Sequence, residues 1–316
     1  MRIERAEIVL RARGRFDLRA TVLSHRYHEL APFRWQDGAR PVLERPEQLA
    51  DDSVHLLRIR PAPRGAVLEV TGRDAREIEV LAPLAARVRS ALALDVDLAK
   101  FHRACARDPL LRPVVRLGLG RMLRGTTVFE DVVKVLATSN TTWAHAVRSV
   151  NRLVAFGRRC PALPDLRAFP SPAALASISV RRLRDDTGLG YRAAWIRGLA
   201  RDVVAGRRDL EAIVRLPGPE AARMIGAVPG IGRVGTAWLL LLLGHHDQPI
   251  LDGVTRSFTR RALGDDDTVL DRRLRRWRPW CGLALSLAYR ASDQAARSQL
   301  SSYRSREGRA RRAGRR

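Results

Sequence analysis

Through residues 1–95 apolar and polar residues alternate in short runs. Val54-His55-Leu56-Leu57-Arg58-Ile59-Arg60 and Ala66-Val67-Leu68-Glu69-Val70 are two such stretches, separated by Pro- and Gly-bearing turns. A period near two broken by turn residues predicts a small antiparallel sheet, accompanied by one or two helices. From about residue 96 the pattern changes to that of helices. Thr127 with Glu130 reads as a capping box ahead of Val132, Val133, Val135 and Leu136, and Ser171-Pro172 as a helix N-cap with proline at the first helical position. Trp143, Val147, Val150 and Val154 recur at helical spacing and predict one buried face. Thr236–Leu243 is an apolar helix too short to cross a membrane. The chain thus reads as mainly α, with an α+β sheet domain over 1–95, an all-helical module of about ten helices over 96–300, and a tail over 301–316. No internal repeat is visible.

One helical stretch has an unusual interruption. Ala221–Val228 is helix-compatible, Pro229-Gly230-Ile231-Gly232 forms a tight turn, and a second helix starts near Arg233. Gly230 and Gly232 carry no Cβ to hold a phosphate away from the backbone, and the helix start points unpaired N–H groups at it. Glycine turns also serve as plain helix connectors, so the tetrapeptide alone leaves both readings open.

Composition narrows the partner. The 316 residues carry 58 Lys+Arg against 33 Asp+Glu, a formal charge of +25, which points to a polyanion such as nucleic acid. Lys100 and Lys134 are the only lysines, and an arginine excess of this kind also arises from GC-rich coding. Cys105, Cys160 and Cys281 lie far apart, with no Cys-x-x-Cys pair and no His cluster at metal-ligand spacing, and are expected to be reduced, buried thiols. No metal or cofactor is expected. Met1–Arg5 lacks the apolar run of a signal peptide, so a cytoplasmic, nucleoid-associated bacterial protein without membrane contact is expected. Residues 304–316 hold no apolar side chain larger than alanine and are expected to stay disordered, either holding DNA loosely or serving as a solvated end.

Helix, Val-Pro-Gly-Ile-Gly, apolar helix, Gly244, a polar loop and Leu251-Asp252-Gly253 together resemble the signature of the helix-hairpin-helix (HhH-GPD) DNA glycosylases. Four further stretches resemble that superfamily: Phe129-Glu130-Asp131-Val132-Val133-Lys134 leading to Thr138-Ser139-Asn140, Gly188-Leu189-Gly190-Tyr191-Arg192, Trp280-Cys281-Gly282-Leu283-Ala284-Leu285, and the domain entry Phe16–Leu23. They resemble the branch of 3-methyladenine DNA glycosylase II and 8-oxoguanine DNA glycosylase, over about residues 15–290 and most strongly over 125–256. The fold implied is an all-helical catalytic module preceded by a small α+β antiparallel-sheet domain. The implied activity is base-excision repair of double-stranded DNA containing a damaged base, by a monomer.

The resemblance assigns roles residue by residue. Asp252 matches the catalytic aspartate, whose charge would stabilise the oxocarbenium-like sugar and orient water, although an aspartate before Val254–Phe258 is also an ordinary helix N-cap. Bifunctional members keep a lysine where this chain has Val234, so a monofunctional enzyme without lyase chemistry is implied. Lys134, the other lysine of the helical region, is expected to contact phosphate or to be exposed. Gly230, Gly232 and Arg233 would hold the DNA backbone. Asn140 matches a residue that enters the space left by the flipped nucleotide, and also reads as an N-cap for the segment from Thr141 or Thr142. Tyr191 and Arg192 match residues that wedge beside and hydrogen-bond the orphaned base, or they belong to a surface loop. His245 and His246 are expected to face solvent at a helix C-terminus. Trp238, one turn after Val234, would line the base pocket or pack with Leu241 and Leu242. An aromatic wall suits a cationic purine such as 3-methyladenine. Two alternatives stay open: a non-catalytic lesion-binding protein, and a glycosylase for oxidised guanine.

Overall fold

The structure is a computed structural model that describes residues 3–264 and 267–293; the basic tail lies outside the described residues. The chain compacts into two units, one built from Met1–Ala99 and Arg121–His245, the other from Lys100–Gly120 and the chain from His246 onward.

In the first unit five strands, β1 (Glu4–Arg11), β2 (Arg34–Gln36), β3 (Val42–Gln48), β4 (Val54–Ala62) and β5 (Gly65–Gly72), form an antiparallel sheet in the order β1-β5-β4-β3-β2. Its register places Ile8 and Ile59 opposite Leu68, and Leu43 opposite Ile59, so apolar side chains from four strands stand in line. The edge strand β1 keeps the expected alternation, but Val54, His55, Leu56 and Leu57 at the start of the inner strand β4 are all buried. Part of that cover comes from a short strand pair around Cys160 and Ala168, which cluster with Val54 and Leu56.

Beneath the sheet the helix Val128–Thr138 is buried along nearly its whole length, including Glu130, Asp131 and Lys134. Thr127 caps it, accepting from the Glu130 N–H at 3.1 Å. The second half of the expected capping box is not made. Glu130 turns inward to Arg45 of β3 (2.9 Å) and to Lys134 (2.6 Å), because two buried cations outbid one backbone N–H for a carboxylate. The first-turn N–H groups of Val128 and Phe129 donate instead to the Glu211 carboxylate at 3.0 and 3.1 Å. Arg45 also pairs with Glu47 at 2.7 Å, and Arg124 with Asp131 at 3.4 Å. Tyr27 donates to Asp131 at 2.5 Å. Burial would raise Glu130, but Arg45 and Lys134 outweigh it and draw its carboxyl down to about 2. Burial raises Asp131 and Tyr27 and lowers Lys134.

The Ser171 N-cap with Pro172 behind it starts a helix as expected. In the helix Trp143–Val154 the expected face is tilted: Val150 and Val154 are buried with Ala146 and Leu153, while Trp143 and Val147 are half-buried.

The second unit is helical. Helices Ala99–Arg107, Gly253–Leu263 and Asp267–Arg276 accompany a helical stretch over 281–293, whose Leu283, Leu285, Leu287 and Ala291 are buried. Asp108 anchors the turn before that stretch, accepting from Trp277 Nε1 at 2.9 Å and Arg273 Nη1 at 3.0 Å.

Candidate active site and nucleic-acid interface

The first hairpin helix, Gly218–Gly226, stops ahead of Val228-Pro229, since the residue before proline is disfavoured in α geometry. Val228 and Ile231 then turn inward and are buried. Gly230 has φ +88°, and a Cβ there would lie 2.3 Å from the Trp195 ring, so its lack of a side chain serves packing. Gly232 is the N-cap of the second helix, Arg233–Leu242. It is exposed, nothing lies within 4 Å of where its Cβ would stand, and no side chain caps the helix's first turn. The two glycines expected to act alike therefore split: Gly230 shapes the turn, and Gly232 leaves the start of the second helix open. Arg233 and Val234 stand exposed in that first turn.

The expected wedge residues converge on the same unit. Asn140 is exposed with φ +46°, a left-handed conformation that asparagine tolerates better than most residues. Thr142, not Asn140, caps the following helix, accepting from the His145 N–H. Tyr191 is 54% exposed and meets Trp195 edge-on at 4.9 Å, which links it to Gly230 through one ring. Arg192 departs from expectation. It is buried, and its guanidinium donates to Ser139 O (2.7 Å), Asn140 O (2.7 Å) and Leu189 O (3.2 Å). The carbonyls that end the preceding helix attract this cation, so Arg192 fixes the Asn140 turn.

Trp238 is half-buried, and the imidazole of His25 stacks beside it at 6.1 Å with 24° between the planes. His25 in turn lies 5.3 Å from Tyr27. Sequence reasoning missed His25 because it comes from the N-terminal segment more than two hundred positions away, with no periodic signal to mark it.

Asp252 belongs to the other unit. Its Oδ1 caps the helix Gly253–Leu263, accepting from Thr255 N at 2.8 Å and Thr255 Oγ1 at 2.9 Å. Among the described residues Oδ2 has no hydrogen-bond partner. The loop that delivers it is held by its own backbone: Gly282 N–H donates to His246 O at 2.8 Å, Cys281 Sγ to Asp247 O at 2.9 Å and Thr255 Oγ1 to Ile250 O at 2.7 Å. A Cβ on Gly282 would lie 2.2 Å from Gln248 O, so only glycine permits this approach.

Three expectations need correction or completion. Lys134 is wholly buried, with Nζ paired to Glu130 and 4.7 Å from the Tyr27 and Phe33 ring centres, so it neither contacts phosphate nor is exposed. Burial of its charge is compensated on the spot by Glu130. His245 and His246 are half-buried instead of fully exposed, and His245 Nε2 has no hydrogen-bond partner among the described residues. The three cysteines are free and buried as expected, with burial pushing the Cys105 thiol up to about 12. No group of His, Cys, Asp or Glu among the described residues has metal-site geometry, and no described helix is long and apolar enough to cross a membrane.

No protein-family model matches this sequence. Solved structures are similar to it. A 3-methyladenine DNA glycosylase from Archaeoglobus fulgidus aligns at TM-score 0.71 and 19% identity, covering 91% of this chain and 98% of its own. An 8-oxoguanine glycosylase/lyase from Clostridium acetobutylicum, bound to double-stranded DNA with cytosine opposite 8-oxoguanine, aligns at 0.61 and 14%, covering 85% and 99%. MBOgg1, in complex with a low-affinity DNA ligand, aligns at 0.61 and 15%, covering 84% and 99%. This chain has the fold of the helix-hairpin-helix DNA glycosylases, a small antiparallel sheet joined to a helical module.

Proposed function

We propose that this protein is a monofunctional DNA glycosylase of base-excision repair, acting as a monomer on duplex DNA and releasing an alkylated purine such as 3-methyladenine. The observation that carries the reading is Asp252: one carboxylate oxygen is fixed by its own helix start, the other has no hydrogen-bond partner among the described residues, and the loop that holds it is locked to Gly282 and Cys281. Cleavage of the N-glycosidic bond sends the bonding electrons to the departing base and leaves positive charge on the sugar. A fixed anion favours that charge more in the transition state than in the substrate, and a water then adds at the anomeric carbon and gives up its proton. The open backbone at Gly232, with Arg233 beside it, suits the phosphate of the distorted strand. Exposed Tyr191 and Asn140 suit the gap left by an extruded nucleotide. The half-buried Trp238, backed by His25, suits a cationic, electron-poor base, by about 0.5–2 kcal/mol of ring attraction. Val234 offers no amine and Lys134 Nζ is wholly buried, so lyase chemistry has no nucleophile at this position.

Single-turnover assays on methylated and 8-oxoguanine duplexes, with and without hot alkali, test this reading. Methylated purine is released and strand breaks appear only after alkali. Asp252→Asn lowers the rate by ~10²-fold or more with DNA affinity nearly unchanged, the loss typical of removing an electrostatic group at a transition state. Breaks without alkali overturn the monofunctional assignment. Release of 8-oxoguanine alone overturns the substrate, and a tenth or more of the rate in Asp252→Asn overturns the catalytic residue.

A further inference from the structure

The second unit holds a cleft of about 250 Å³ that the proposed chemistry does not use. Its lining combines three rings, Phe101, Trp277 and Trp280, with three arginines, Arg107, Arg276 and Arg278. Trp277 is buried and its N–H is committed to Asp108, so it forms the floor; Trp280 is half-buried and tilts against Phe101 at 6.1 Å. The carboxylate in the lining is also committed. Asp108 accepts from Leu110 N, Trp277 Nε1 and Arg273 Nη1, and Arg273 neutralises its charge. The three arginines, by contrast, are exposed and pair with no carboxylate among the described residues. Much of the arginine in the first unit is held by Asp or Glu, as at Arg19, Arg58, Arg87 and Arg207, so this convergence of unneutralised guanidinium groups on aromatic walls stands apart.

We propose that this cleft binds one unpaired nucleotide, its base lying against Trp280 and its phosphate among Arg107, Arg276 and Arg278. Planar guanidinium groups match phosphate oxygens, and an aromatic face matches the face of a base that no stacked neighbour covers. The volume takes a single ring system with its sugar and excludes a duplex. An acidic peptide meets the charge but leaves the rings unused. The same chemistry is presented by a nucleotide in a single strand and by a free nucleotide; the charge of the whole chain favours the strand.

The test uses the full-length protein and a labelled oligothymidylate of about eight nucleotides, a length within the usual site size of single-strand binders. Ala104 lines the cleft from an exposed helix position, so Ala104→Glu adds a negative charge without disturbing a packed side chain. It weakens binding about tenfold or more, with the melting temperature kept. The double variant Arg276→Gln/Arg278→Gln lowers the slope of log affinity against log salt by up to about 0.7, the share of the one phosphate the cleft holds. Photocrosslinking of a 5-iodouracil strand maps to Trp280. Competition by thymidine monophosphate separates the sources: affinity equal to the strand's assigns the cleft to free nucleotides, and much weaker affinity assigns it to single-stranded DNA. Wild-type affinity in both variants, a crosslink elsewhere, or competition by orthophosphate as strong as by thymidine monophosphate overturns the proposal. None of these readouts depends on excision, so a failed glycosylase assay leaves the result intact.

Discussion

At the hairpin Arg233 stands exposed beside an uncapped helix start, whereas beneath the sheet Arg45 and Lys134 are enclosed with Glu130 and Glu47. Both regions carry positive charge beside the start of a helix that follows a turn. Under the sheet every charge has a partner at salt-bridge distance, so the network joins β3 to the helix Val128–Thr138 and has no capacity left for a ligand. At the hairpin, among the described residues, Arg233 pairs with no carboxylate and no side chain caps the first turn of its helix, so both stay open to solvent. A count of arginines therefore says little about nucleic-acid binding until burial and pairing are known.

The largest effect that would break this contrast is at Lys134. Lys134→Met leaves Glu130 buried against Arg45 alone, and a loss of about 3–5 kcal/mol is expected, read as the change in free energy of urea unfolding. A loss below about 1 kcal/mol would show that the network is not sealed. Acid titration sharpens the same point. Glu130 is held at about 2 in the folded chain against an ordinary 4.5, so its contribution is complete above about pH 4.5 and disappears as pH falls towards 2. Asp131, raised by burial, acts in the opposite sense, so Glu130→Gln isolates the effect. The variant is less stable at neutral pH and loses less on acidification, as thermal melts between pH 7 and 3 would reveal. An unchanged pH profile would contradict it.

The smallest effects separate the two hairpin glycines. Gly230→Ala meets the Trp195 ring and must take φ +88°, so a stability loss of about 2 kcal/mol or more is expected. Gly232→Ala enters open space at an extended backbone and changes stability by about 0.5 kcal/mol or less, while weakening binding to undamaged duplex. Equal effects of the two substitutions on melting temperature would erase the distinction between a packing glycine and a contact glycine.

Much of this architecture was legible in the chain. Period-two alternation marked the sheet, Thr127 and Ser171-Pro172 marked helix starts, and the order of hairpin, apolar helix and Asp252 marked the candidate chemistry. These are local signals: turn residues, caps and periodicity act within a few positions and survive any tertiary context. Tertiary structure decided what each polar side chain does. Glu130 and Lys134 read as a cap and a surface cation, but Arg45, eighty-five positions before Glu130, makes them a buried network. Arg192 read as a contact to DNA, yet the fold brings it the carbonyls of Ser139, Asn140 and Leu189, and each guanidinium nitrogen donates to one of them. His25 gained its place beside Trp238 in the same way. A charged or hydrogen-bonding group takes whichever partner lies within about 3 Å, and over long sequence separations that partner is set by packing, which period and composition do not encode.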